Sequence, residues 1–195
     1  MNGLFNKALQ CFLRDMYGEA VWLRVAADAR LPPEGFEPLL SYPAATTDAV
    51  IVAACRVLGQ AREEILEHLG VYLVAHPNLQ PMRRLLRFGG VDFRRFLHSL
   101  EDLRARGRMV VPDIDLPDLR LSADGPDMWT LSCRSPMAGI GYVVVGLLRA
   151  MADDYGTLAV IDHLGSTDGE EQVAVLLSEA QFAEARAFPL AVAAV

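Results

Sequence analysis

Val91-Asp-Phe-Arg-Arg-Phe-Leu-His-Ser-Leu-Glu-Asp-Leu-Arg-Ala-Arg106 places Phe93, Phe96, Leu97, Leu100 and Leu103 three and four residues apart. That spacing predicts one amphipathic helix over 91–106 with a single apolar stripe laid on a core. Arg94, Arg95, Glu101, Asp102 and Arg106 fall on the exposed face. Asp92 suits the N-cap, because its carboxylate accepts from the first free backbone N–H groups. Gly107 suits the C-terminal stop. Arg104 follows Glu101 by one turn, and the plainest role for it is a surface ion pair worth a few tenths of a kcal/mol.

Working outward, Leu4, Phe5, Ala8, Cys11, Phe12 and Met16 predict a helix over 1–17, which Gly18 breaks, and a second helix follows over 19–28. Leu31-Pro-Pro-Glu-Gly-Phe36 is a loop, since proline does not suit a helix interior. Tyr42-Pro-Ala-Ala-Thr-Thr-Asp48 is another, ending in caps for a helix over 48–58. Helices over 60–74 and 79–87 precede the central one. Beyond it the period changes from helical to two. Residues 118–123 and 128–133 alternate as a hairpin around the turn at 123–127. A nearly all-apolar helix covers 139–154. Strands over 157–162 and 172–177 flank a turn at 166–169. Ser178 caps a short helix over 179–187, and an apolar tail closes the chain. The order predicts an α+β fold: one domain over 1–195, with a helical part over 1–78 beside a part over 79–195 built on a small antiparallel sheet.

The hydrophobic fraction of 52% supports a substantial core, and the net charge of −7 argues against nucleic-acid and anionic-membrane partners. Charged residues interrupt every apolar run, so neither a leader nor a membrane span is expected. Cys11, Cys55 and Cys133 are odd in number and scattered, as in a reduced cytoplasmic protein, and no cysteine–histidine spacing suits zinc. Enzyme motifs are missing: no Gly-x-Ser-x-Gly, no glycine-rich phosphate loop and no His-Glu-x-x-His. Glu63-Glu64 and Asp153-Asp154 read as solvated pairs on helix surfaces. The expectation is a protein that is not an enzyme.

Leu85-Leu86-Arg87, Phe93-Arg94-Arg95-Phe96-Leu97 and Leu100-Glu101-Asp102-Leu103 are followed by Pro112 and Pro117. With Met1-Asn-Gly-Leu-Phe-Asn6 and Tyr17-Gly-Glu-Ala-Val-Trp22, this series resembles the H-NOX family, the haem-nitric oxide/oxygen binding domains related to the sensor domain of soluble guanylate cyclase. The resemblance implies a haem cofactor, nitric oxide sensing, and action on a signalling partner such as a histidine kinase or a cyclic-dinucleotide enzyme. It also implies that the central helix carries a histidine on the haem iron. Matched without a gap, that position is Arg104, whose guanidinium stays protonated and offers a metal no lone pair. The family's propionate-binding Tyr-x-Ser-x-Arg falls on Cys133-Arg-Ser-Pro-Met137, where Ser135 matches but Cys133 and Met137 replace tyrosine and arginine. Arg134 points to the other strand face. The distal pocket positions fall on Phe5, Leu9, Leu73 and Val143, all apolar and equally suited to plain core packing. Pro117 matches a proline that presses on haem.

The histidines offer other candidate iron ligands. His98 sits roughly 240° round the helix from Arg104 and reads as a surface residue. His68, beside Glu67, and His76, before Pro77, are the alternative metal ligands, although a lone histidine near an apolar face is usually just hydrogen-bonded. His163 reads as a loop residue at a strand end. Cys133, if buried among apolar groups, stays a protonated thiol. The chain therefore reads as a stand-alone cytosolic sensory or regulatory domain of H-NOX type that has lost histidine-ligated haem and binds another ligand or a signalling partner. Two alternatives stay open: a haem-binding nitric oxide sensor with a non-standard or weak ligand, and an interaction module with a collapsed pocket.

Overall fold

The structure, a computed structural model, describes residues 3–110 and 114–178. The expected helix over 179–187, the apolar tail and Pro112 lie outside the described residues. The chain runs α1 (Gly3–Tyr17), α2 (Glu19–Asp28), α3 (Ala44–Leu58), α4 (Arg62–Ala75), α5 (Gln80–Arg87), α6 (Phe93–Ser99), α7 (Leu103–Val110), β1 (Asp118–Ala123), β2 (Met128–Arg134), α8 (Ile140–Tyr155), β3 (Ala159–Thr167) and β4 (Glu170–Leu177). The strands form one antiparallel sheet in the order β1-β2-β4-β3. This is the α+β architecture that the change of period predicts.

Gly18 separates α1 from α2 with φ at 91°, a conformation that disfavours any side chain. The caps expected near Thr47 lie elsewhere: α3 already begins at Ala44, behind Pro43. Thr47 is buried inside the helix, and its hydroxyl donates to Asn6 Oδ1 at 2.6 Å, tying α3 to α1. Between β3 and β4, Asp168 (φ 53°) and Gly169 (φ 77°) supply the two left-handed residues of a tight hairpin turn. β3 is longer than the sequence suggests, and a register shift between His163 and Gly165 bends it.

The central stretch departs from a single helix. Asp92 does cap it, accepting from Arg95 N at 2.8 Å. At Leu100–Asp102 the chain tightens into a 3-10 turn, which divides α6 from α7. Residues three apart eclipse in such a turn, so Leu100 and Leu103 bury along one line. Glu101 does not form the expected pair with Arg104; its Oε1 accepts from Leu121 N of β1 at 3.1 Å. Gly107 is not the stop either, because α7 continues to Val110. A Cβ there would stand 2.5 Å from Leu116 Cδ1, so this glycine lets the segment leading to β1 cross α7 closely.

The tightest crossing in the molecule is α4 on α8. A Cβ on Gly70 would lie 2.0 Å from the Val143 carbonyl oxygen, and one on Gly146 would lie 1.9 Å from the Glu67 carbonyl oxygen. Two glycines thus let the helix backbones touch. On its other side α8 covers the inward face of the sheet, where Leu131, Cys133, Val173 and Val175 are wholly buried. Asp154, at the end of α8, is not the solvated carboxylate expected. Its side chain is buried and pairs with Arg83 and Arg87, clamping α5 to α8.

Candidate functional site

Where α1, α4, α8 and the start of the sheet meet, the core leaves a cavity of about 90 Å³. Phe5 of α1 and Leu73 of α4 form one wall. Leu100, Leu103 and residues 115–117 form a second, and Ile140, Val143, Val144, Leu147 and Leu148 of α8 form the third. Leu119 and Ser135 complete it. Among the described residues, the only polar side chains on the wall are those of Asp115 and Ser135. The remaining wall is apolar and suits small apolar groups.

Five of the residues singled out in the sequence therefore meet at one place: Phe5, Leu73, Pro117, Ser135 and Val143. The others stand apart from it. Leu9 is wholly buried in the core. Cys133 is wholly buried in β2, with its thiol 3.8 Å from the Leu131 carbonyl oxygen. Met137 borders two outward-facing clefts instead. Arg104 is half-buried on α7; its neighbour Leu103 reaches the cavity wall, and its own Nε is buried without a hydrogen-bond partner among the described residues. Leu100, Leu103, Leu147 and Leu148 were legible in the sequence only as apolar stripe. Asp115 gave no signal.

Burial, chiefly, and then the charges of Glu171 and Glu170 push the Cys133 thiol up to about 12 from its ordinary 9.0. Native Cys133 should therefore resist iodoacetamide at pH 8 while the unfolded chain reacts; rapid native labelling would contradict the placement. The linkage has a definite sign. Above pH 9 the unfolded thiol loses its proton while the folded one keeps it, so stability falls as pH rises toward 12. The contribution of Cys133 to that slope approaches about 1.4 kcal/mol per pH unit, and Cys133→Ala should lower the slope by that amount in urea melts taken across the range, leaving the part due to the other raised thiols and phenols.

None of the four histidines lines the cavity. His68 and His76 border a separate cleft of about 350 Å³ with Tyr17 and Tyr72. Tyr72 donates to Asp15 Oδ2 at 2.6 Å, and the His76 ring packs on Tyr72 at 4.6 Å. His98 is exposed, edge-on to Trp129 at 6.5 Å. His163 is not a loop residue: it lies within β3, and its Nε2 is 2.9 Å from Glu171 Oε2.

That last contact belongs to a cluster the sequence reading missed. Glu171 is a buried carboxylate on the inward face of β4. Its two oxygens accept from Gly139 N at 2.6 Å and Gly141 N at 2.9 Å. A carboxylate from another strand thus satisfies the first amides of α8, at the positive end of the helix dipole. Tyr142 stacks on His163 at 4.1 Å, and a Cβ on Gly141 would strike the His163 ring at 2.6 Å. Gly139, Tyr142, His163 and Glu171, with Arg62, line an open cleft of about 410 Å³ that shares Ser135 with the cavity. The usable signal was an acidic residue at an inward strand position, in step with Val173 and Val175.

Among the described residues no three His, Cys, Asp or Glu side chains group to hold a metal ion. No described helix is long and apolar enough to cross a membrane.

Comparison with known proteins adds the family. The chain is similar to "Soluble guanylate cyclase gcy-31" of Caenorhabditis elegans, 23% identical over 165 residues, covering 84% of this chain and 24% of that protein. It is similar to "Soluble guanylate cyclase 89Db" of Drosophila melanogaster, 19% identical over 155 residues, covering 80% and 23%. The chain thus spans about a quarter of the length of these relatives. Among solved structures, the Fe(II) unliganded H-NOX protein from K. algicida superposes with a TM-score of 0.79 at 15% identity, covering 92% of this chain and 97% of that one. An oxygen-binding H-NOX domain related to soluble guanylate cyclases, in its oxygen complex, gives 0.68 at 16% identity, covering 91% and 95%. The structural likeness is one of fold, and the family model described as "Haem-NO-binding" matches residues 2–163. The chain belongs to the haem-NO-binding (H-NOX) family.

Proposed function

We propose that this chain is a sensory or regulatory domain that has given up histidine-ligated haem and passes its signal to a protein partner, of the histidine-kinase or cyclic-dinucleotide-enzyme kind. The cavity wall carries this reading. Among the described residues it holds no histidine, cysteine, methionine, tyrosine, lysine or arginine. Haem iron takes its protein ligand from His, Cys, Met or Tyr, and haem propionates favour arginine. Asp115, the one charged side chain among the described wall residues, offers a propionate no positive charge. The volume of about 90 Å³ is well below the ~300–1,000 Å³ of small-molecule and cofactor sites. The residues at this cavity do not fit haem. Arg104, at the position the family gives to the iron ligand, supports the same reading.

The test is Arg104→His, titrated with haemin. Because Cys133 and Met137 also stand at the motif's tyrosine and arginine positions either side of Ser135, histidine alone should leave a broad, non-saturating absorbance. A stable five-coordinate haem spectrum in that single variant would overturn the proposal.

A further inference from the structure

Phe88 is 86% exposed and Val91 78% exposed, on the turn that joins α5 to α6. The turn is fixed from beneath. Phe88 N donates to Arg84 O at 3.0 Å, Gly89 N to Leu86 O at 3.0 Å, and the Tyr155 hydroxyl to Gly90 O at 2.8 Å. A Cβ on Gly89 would stand 2.0 Å from Ser99 Oγ, and one on Gly90 would stand 2.5 Å from Phe96 N, so the turn lies flat against α6. Arg87 covers the Tyr155 ring at 4.7 Å and pairs with Asp154 of α8. Two apolar side chains are thereby held out into water on an ordered support, which lowers the ordering cost of binding.

The sequence around the turn is basic: between Arg83 and Arg108 lie eight arginines against Asp92, Glu101 and Asp102, a balance of +5 in a chain of −7, so the remainder carries −12. In the fold Arg83 and Arg87 share Asp154, Arg94 pairs with Asp127 and Arg95 stands 3.7 Å from Asp92, so the positive excess beside the turn is smaller than +5. Arg84 is exposed one turn before Phe88 and shares its face. Arg95 is exposed, with its Cβ 2.9 Å from where a Gly90 Cβ would stand.

We infer that this turn is the docking surface for a protein partner presenting an acidic segment with an apolar side chain. Phe88 is the anchor, and Arg84 and Arg95 flank it. Aromatic and arginine side chains dominate interface energetics, and the local positive field draws in an acidic partner. An extended polyanion such as nucleic acid, or an anionic membrane, would also meet the −12 of the remaining chain. The inference rests on the partner half of the proposed function and is independent of the haem half.

The test uses the intact protein at about 0.1 M salt, with fluorescence anisotropy. The probes are a labelled Asp/Glu peptide carrying two leucines, the same peptide with serine in their place, a single-stranded oligonucleotide and phosphatidylserine vesicles. The leucine peptide should bind saturably. Phe88→Ala and Arg84→Glu should each weaken it about tenfold or more, whereas Arg24→Glu, the same charge change on exposed α2, should shift it less than about threefold. Both test positions are exposed, so circular dichroism should match the parent, and either variant alone decides the matter. No saturable binding, equal binding of the serine peptide, or equal loss in Arg24→Glu would overturn the inference. So would tighter binding of the oligonucleotide or vesicles with the same variant dependence, or self-association abolished by Phe88→Ala. Any of these failures leaves the haem reading standing, and a haem spectrum would sink that reading without touching this one.

Discussion

Gly146→Ala should destabilise the protein by about 3 kcal/mol or more, the largest loss expected from adding a single methyl group. The methyl would stand 1.9 Å from the Glu67 carbonyl oxygen, in the backbone of α4, where no rotamer change makes room. Relief requires the helices to part, which pulls Leu73 and Val143 away from each other across the cavity. Gly70→Ala meets the same obstacle from the other side, at 2.0 Å from the Val143 carbonyl oxygen. Alanine's better helix propensity, about 1 kcal/mol, offsets only part of the loss. For a chain of this size the melting temperature should fall by roughly 6–12 °C. Gly125→Ala is the matched control, because its nearest neighbour would be 3.8 Å away. Thermal melts of the three variants decide the matter. If Gly146→Ala melted with the parent, the close crossing would be wrong.

Glu171→Ala should cost about 3 kcal/mol, because it strips the acceptor from the half-buried amide of Gly139, the buried amide of Gly141 and the His163 ring at once. The helix dipole of α8 also loses its counter-charge. Glu171→Gln keeps one acceptor oxygen but turns an amide N–H₂ toward a backbone donor, so it should fall between alanine and the parent. Hydrogen exchange gives a readout that bulk stability does not: protection should drop first in the opening turn of α8, at 140–143. Uniform loss of protection across the sheet would contradict a local role for Glu171.

These features were not equally legible in the sequence. The switch at Asp118 from a helical period to a period of two announced the sheet, and Asp92 announced its own cap. The 3-10 turn at Leu100 did not show, because apolar spacings of three satisfy both helix types. Gly70 and Gly146 carry no local signal, since the atoms they make room for lie on a distant segment. The Glu171 clamp was hidden for the same reason: its partners Gly139 and Gly141 sit across the sheet–helix join, and local pattern carries no information about them. Phe5, Leu73, Pro117, Ser135 and Val143 were placed by family resemblance and meet at the cavity. Leu100 and Leu103 share that wall, but an apolar stripe looks alike whether it faces a core or a cavity.

The most direct measurement is the visible spectrum of the purified protein before and after stoichiometric haemin, with imidazole and nitric oxide added in turn. The proposed function, resting on a wall whose described residues offer no iron ligand or propionate partner, predicts broad, non-saturating absorbance that behaves like free haemin. A sharp, stoichiometric Soret band that shifts with nitric oxide would contradict the account, and would turn attention to His68 and His76 as ligands.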